Sequence, residues 1–192
     1  MKKVVVYIAT SLDGYIADKT GGIKWLEEQE NKSIEETSYI DFIKDVDTVI
    51  LGFNTFNQIV TELSPNVWPY FNMNSYVLTD KDEAVKEMIE KNVGNIQKYK
   101  DKIVFTNRSI EKLISELKNL NNNKKNIWIC GGANVINQLV KLNLIDKYHI
   151  SIIPTILGSG IRLFDDDNIK INLKLNEIRT YNGIVELEYV KR

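Results

Sequence analysis

The chain has 192 residues, 43% hydrophobic and 27% charged, with 25 basic and 26 acidic side chains for a net charge of −1, an ordinary globular composition. Its one cysteine, Cys130, and one histidine, His149, exclude an internal disulfide, a multi-thiolate zinc site and a multi-histidine metal site, so no metal ligands are assigned, and a Ser-His-Asp hydrolase is left a single imidazole. Balanced charge offers no basic excess for nucleic acid, and no run of about 18 apolar residues offers a membrane span, so the expectation is a cytoplasmic single domain over residues 1–192 that acts on a small molecule, without nucleic-acid or membrane partners.

From the N-terminus, the β-branched run 3–9 leads straight into the turn sequence Ser11-Leu12-Asp13-Gly14, which predicts a buried strand rather than a targeting segment. A helix is expected over 33–44, opened by the capping box Ser33-Ile34-Glu35-Glu36, with Tyr39, Ile40, Phe42 and Ile43 along one side. Strands follow at 48–51, 75–78, 103–105, 126–130 and 148–153; runs such as Val49-Ile50-Leu51 lack polar alternation, as strands covered on both faces do. Helices are expected at 53–63, 109–120 and 133–142, which makes a sheet flanked by helices. The polar stretch 121–125 reads as a solvated loop, and Asp165-Asp166-Asp167 as exposed carboxylates. Asn182-Gly183 between 171–175 and 185–190 predicts a closing antiparallel hairpin.

Three glycine signals each follow an apolar strand: Asp13-Gly14, Gly52 and Gly131-Gly132. In an open α/β sheet ligands bind at the carboxyl ends of the strands. A glycine there lets backbone amides approach phosphate, and the next helix presents its positive end. Gly131-Gly132-Ala133-Asn134 is therefore a candidate pyrophosphate cradle, and Gly52-Phe53-Asn54-Thr55 a second with a hydroxyl to donate. Each also has a plain reading as a tight strand-to-helix turn. Tyr15, Trp25 and Trp68 are candidate walls for an aromatic pocket, with core anchoring the alternative for Trp25. Cys130 reads as buried and inert, and His149 as packed in a late strand.

The order Ser11-Leu12-Asp13-Gly14-Tyr15-Ile16-Ala17, Trp25, Val49-Ile50-Leu51-Gly52-x-x-Thr55, Ile129-Cys130-Gly131-Gly132 and Pro154-x-x-Leu157-Gly158-x-Gly160-x-x-Leu163-Phe164 resembles the dihydrofolate-reductase-like superfamily. It is most similar to the reductase domain of the riboflavin-biosynthesis deaminase-reductase, and a stand-alone reductase-like domain is expected, because the deaminase zinc motif needs more cysteines than the one present. The resemblance implies an α/β protein with a three-layer α/β/α fold, its central sheet mostly parallel and ending in a C-terminal antiparallel hairpin. It further implies an NAD(P)H-dependent reductase, like a 5-amino-6-(5-phosphoribosylamino)uracil reductase, that transfers hydride to a small heterocyclic or imine-type substrate, commonly as a homodimer. Carried over by position, Ala9, Ile16 and Ala17 would meet the nicotinamide. Gly52, Phe53, Asn54 and Thr55 would hold phosphate, Leu78 and Thr79 would lie near the adenosine, and Gly131, Gly132, Ala133, Asn134 and Val135 would cradle the pyrophosphate.

The chain also departs from that pattern. Phe53 stands where many relatives carry an arginine for the 2′-phosphate of NADPH, so NADH joins NADPH as a candidate cofactor, with Lys81 or Arg108 as substitute cations and an exposed, solvated lysine as the plainer reading of the first. Thr55-Phe56-Asn57-Gln58-Ile59 does not match the relatives' substrate motif Thr-x-x-x-Asp-x-Pro, and no Arg or Lys lies between Ser64 and Leu78 to grip a folate carboxylate. Glu36, sixteen residues before Gly52, matches the spacing of the family's helix acid and is one catalytic candidate; as the third residue of the capping box it has a structural reading too. Asp13 is the second catalytic candidate, with a turn role as its alternative. Dihydrofolate reductase and a non-catalytic dinucleotide-binding protein are the other functional readings.

Overall fold

The computed structural model describes residues 2–27, 37–120, 125–167 and 169–192. Along the chain run β1 (Val4–Ser11), β2 (Tyr15–Ala17), α1 (Thr37–Lys44), β3 (Val46–Gly52), α2 (Phe53–Gln58), β4 (Asn74–Leu78), α3 (Asp82–Glu90) and β5 (Ile103–Thr106). Then come α4 (Ile110–Asn119), β6 (Asn126–Gly131), α5 (Ala133–Lys141), β7 (Lys147–Ile153), β8 (Ile161–Arg162), β9 (Leu173–Tyr181) and β10 (Ile184–Lys191). Eight strands form one sheet in the order β5-β4-β3-β6-β1-β7-β10-β9. The first six are mutually parallel, and the β9–β10 hairpin adds antiparallel to β7. β2 and β8 pair separately as a short antiparallel ribbon.

Alternation along the central strands divides their apolar side chains between two helical layers. Val4 and Val6 of β1, Ile50 of β3, and Ile127 and Ile129 of β6 face α4 and α5, whose Leu113, Ile114, Leu117, Ile136 and Leu139 are buried against them. Val49, Leu51, Val77 and Trp128 point the other way, toward Tyr39 and Phe42 of α1, Phe56 of α2 and Met88 of α3. This is the expected three-layer α/β/α architecture, with the expected C-terminal hairpin. Lys2, 7% exposed, pairs with Asp47 at 2.8 Å and ties the start of β1 to β3.

Several local expectations need correction. β2 and β8, three and two residues long, carry too little periodicity to be read from sequence. α3 was also absent from the expected elements, because only Val85 and Met88 of its largely charged sequence are buried. The helix expected over 53–63 is α2 followed by a π-helical turn, Ile59–Leu63. There the Thr61 hydroxyl donates back to the Asn57 carbonyl at 2.8 Å, a local bond that competes with the helical ladder. Ser33 to Glu36 of the capping box lie outside the described residues, as do 121–124. Among the described residues no group of three metal-ligating side chains occurs, and Asp167 is paired with Lys141 at 2.7 Å. No helix among them is long and apolar enough to cross a membrane.

Candidate functional site

Between β1 and β3 the chain leaves room for β6, which is inserted later and lies parallel to both. The carboxyl ends of β1, β3, β4, β5 and β6 therefore open on one edge, into a cleft of about 1280 Å³. This exceeds the few hundred to about 1,000 Å³ usual for a drug-sized ligand and suits a longer molecule. The strand ends deliver Ala9, Gly52, Leu78, Thr106 and Gly131 to it, and the turns beyond them deliver Phe53, Asn54, Thr55, Thr79, Gly132, Ala133, Asn134 and Val135. Ile16 and Ala17 of β2 complete the wall.

At the middle of the cleft the two glycine turns pack against each other. A Cβ on Gly132 would stand 3.2 Å from Thr55 Oγ1, and one on Gly52 would stand 3.3 Å from Val135 Cγ2, so a side chain at either turn would push its neighbour aside by a few tenths of an ångström. Gly131 has φ +133° and is joined to Gly132 by a cis peptide bond. Gly132 caps the nine-residue helix α5 without a side chain, and its carbonyl accepts from the Val135 and Ile136 amides at 3.0 and 3.2 Å. The amides of Ala133 and Asn134 begin the helix at its positive end. This narrow backbone surface, beside the Thr55 hydroxyl, fits a pyrophosphate.

Two cationic residues line one end of the cleft. Lys81 Nζ lies 5.2 Å from the centre of the Phe53 ring and donates to Asn54 Oδ1 at 3.3 Å. Arg108 also lines the cleft, but its guanidinium pairs with Glu116 at 2.6 Å. The opposite region has an aromatic floor: Tyr7, Tyr39, Tyr70 and Trp128 all line it. Tyr70 and Trp128 meet edge-on at 5.0 Å, and Tyr7 stacks on Phe42 at 4.4 Å. Cys130 belongs to this floor, 3.5 Å from the Tyr70 hydroxyl; burial pushes its thiol up to about 11, which keeps it protonated and unreactive at neutral pH.

The fourteen residues assigned to cofactor contact thus all lie along one cleft. Of the two catalytic candidates, Asp13 does not join them there. Asp13 does not line the cleft: its carboxylate accepts from Ser11 Oγ at 2.6 Å and from the Leu157 and Gly158 amides at 3.1 and 2.7 Å. These donors, Ser11 foremost, hold its pKa below the usual carboxylate value, so Asp13 latches the β1–β2 turn to the Pro154 loop. Glu36 lies outside the described residues. The expected aromatic walls are also corrected. Trp68 is fully buried and donates to Ser75 Oγ at 3.0 Å, Trp25 packs with Ile153 and Ile184, and Tyr15 is buried beneath Arg162. The actual floor had a legible signal in Tyr7, which shares a strand face with Ala9 two residues on.

The fold and this cleft define an α/β protein with a large cleft at the carboxyl edge of its parallel strands. The chain belongs to the RibD C-terminal domain family, whose model matches residues 2–185. It is 37% identical over 191 residues to the uncharacterized protein YwjB of Bacillus subtilis, covering 99% of this chain and 98% of that one. A crystal structure from Shewanella sp. PV-4, of a protein named for riboflavin biosynthesis, superposes with a TM-score of 0.81 at 28% identity, covering 99% of both chains. The riboflavin biosynthesis reductase Rib7 of Saccharomyces cerevisiae shares the fold, with a TM-score of 0.60 at 18% identity over 100% of this chain and 90% of that one.

Proposed function

We propose that this chain is an NAD(P)H-dependent reductase of the riboflavin-reductase type, acting on a small heterocyclic or imine-type substrate. The observation that carries this reading is the convergence of residues between Ala9 and Val135 on one cleft with a glycine cradle at its middle. Membership of the RibD C-terminal domain family supports it. When bound, a reduced nicotinamide would supply hydride. Ala133, Asn134 and Thr55 would hold the pyrophosphate, while Ala9, Ile16 and Ala17 would border the nicotinamide. Lys81, which lines the cleft beside Phe53, would meet a 2′-phosphate in place of the absent arginine, a reading that favours NADPH. The aromatic floor would accept a flat ring and exclude water from it. We read the protein as a cytoplasmic homodimer: β9 is an outer strand with Leu175 and Ile178 exposed, an edge that a second copy would cover.

The test is NADPH oxidation followed at 340 nm with 5-amino-6-(5-phosphoribosylamino)uracil and, separately, dihydrofolate. Turnover with the first establishes the riboflavin-type activity. Turnover with dihydrofolate alone would replace it with dihydrofolate reductase. Nucleotide binding without oxidation of either would support the binding-protein reading among the alternatives.

A further inference from the structure

Behind the aromatic floor lies a buried acid for which the fold has no evident use. Glu186, on β10, is 2% exposed, in a position where an apolar side chain would pack without the cost of burying a charge. Four hydroxyls converge on its Oε1: Ser38 of α1 and Tyr181 of β9 at 2.8 Å each, Ser151 of β7 at 3.2 Å and Tyr7 of β1 at 3.3 Å. Its Oε2 faces His149 Nε2 at 3.4 Å, a contact too poorly aligned for a hydrogen bond, and both atoms are buried without a hydrogen-bond partner. Among the four hydroxyl residues, Tyr7 alone lines the cleft. Its hydroxyl also lies 3.2 Å from Ser38 Oγ, and its ring lies 4.4 Å from that of His149. A hydrogen-bonded cluster around a buried carboxylate thus reaches the cleft floor at Tyr7, with the only imidazole of the protein in contact behind it.

We propose that Tyr7 is a catalytic residue that delivers the proton accompanying reduction, and that the Glu186–His149 pair behind it replaces that proton. This rests on the reductase reading. A bound reduced nicotinamide would supply the hydride for a new C–H bond at the carbon of a C=N or C=O group, whose π electrons pass to the heteroatom. The heteroatom takes the phenolic proton of Tyr7 and becomes N–H or O–H. The Tyr7 oxygen regains a proton from water by way of the Glu186 and His149 pair behind it. The sum is one hydride and one solvent proton added, with the nicotinamide oxidised.

The surroundings suit these roles. Burial first, then the Glu186 charge, hold the Tyr7 phenol above its ordinary value, so it is protonated throughout the neutral range and is still a stronger acid than the nitrogen or oxygen anion left by hydride addition. Burial opposes the charged form of Glu186, yet the neighbouring His149 and hydrogen bonds from Ser38 and Tyr181 outweigh it and bring the carboxylate down to about 2. A tyrosinate formed beside that carboxylate is repelled by it, which favours return of the proton. Other charged groups around Glu186 among the described residues are Arg179 of β9 and, beyond it, Asp41 of α1; Glu188 and its partner Lys147 stand next to His149.

Having one histidine makes the chain observable: the imidazole proton resonances report His149 alone. Titration of these resonances against pH, with and without saturating NADPH, is expected to move the midpoint by about 0.3 unit or more, roughly a twofold change in proton affinity. By reciprocity the proton changes NADPH affinity by the same factor. Tyr7→Phe, which removes one hydroxyl and keeps the ring, is expected to abolish the midpoint shift while NADPH still saturates. Glu186→Gln should do the same, and if it does not fold, Tyr7→Phe alone decides. An unchanged midpoint in the saturated wild type, or a shift that survives Tyr7→Phe, overturns the relay and leaves the reductase reading standing. Failure of NADPH to saturate, read independently by energy transfer from tryptophan, removes the reductase reading and the relay with it.

Discussion

Gly132 illustrates how a single atom controls the cleft. Alanine there brings a methyl group to 3.2 Å from Thr55 Oγ1, displacing the hydroxyl assigned to phosphate. Gly132→Ala is expected to raise the dissociation constant for NADPH by about tenfold or more, measurable by tryptophan energy transfer. Lys81 controls a different property. Lys81→Ala is expected to weaken NADPH by about tenfold and NADH by less than twofold, because only the first carries a 2′-phosphate to meet the charge; equal losses for both would remove the assignment. Trp68 has no ligand role. Truncating this fully buried ring, Trp68→Ala, should cost about 3–5 kcal/mol in urea unfolding and leave the nucleotide preference unchanged. At this scale the glycines and the inert Cys130 were legible, because backbone access and apolar context are written locally. The role of Asp13 was not, since its partners Leu157 and Gly158 are distant in sequence. Nor was Glu186, whose five polar neighbours come from four different elements.

The central strands β1, β3 and β6 were readable because each holds a largely apolar run with most residues buried on both faces. β2 and β8 escaped notice because their pairing depends on one close approach rather than on pattern. Gly160 sits at φ +151°, and a Cβ there would drive into the Ala17 carbonyl, so only glycine lets the Pro154 loop lie against β2. Gly160→Ala should therefore open the β2–β8 ribbon, seen as faster amide exchange across Tyr15–Ala17, while exchange in β1 and β6 stays unchanged. β10 makes a pH-dependent contribution. The folded-state value of Glu186, about 2, lies below its ordinary 4.5, so its stabilisation is complete above the higher value and is lost as pH falls toward the lower. Between pH 4.5 and 2 the wild type should lose stability more steeply than Glu186→Gln, as read from urea midpoints at successive pH values. Parallel slopes would show that Glu186 is not held ionised by its neighbours.

For the whole molecule, the crossing from β1 to β3 with β6 inserted between them decides where a ligand can bind. That topology cannot be read from any one motif. It follows from the order of the elements, and it gathers onto one edge residues that lie more than a hundred positions apart. The substrate end is less legible, because its floor is made of Tyr7, Tyr39, Tyr70 and Trp128, aromatic residues whose patterning is the same whether they face a core or a cleft. Those same residues supply the most direct test of the central proposal, since Trp128 lies in the cleft and can pass excitation to a bound reduced nicotinamide. The measurement is a titration of the protein with NADPH and, separately, NADH, exciting tryptophan and recording nicotinamide emission, with Trp128→Phe as the control. Saturable transfer that favours NADPH and is diminished in Trp128→Phe is the expected result. No saturable transfer from either nucleotide up to about 1 mM, where a binding free energy would be only about −4 kcal/mol, would contradict the assignment of the cleft to a nicotinamide dinucleotide.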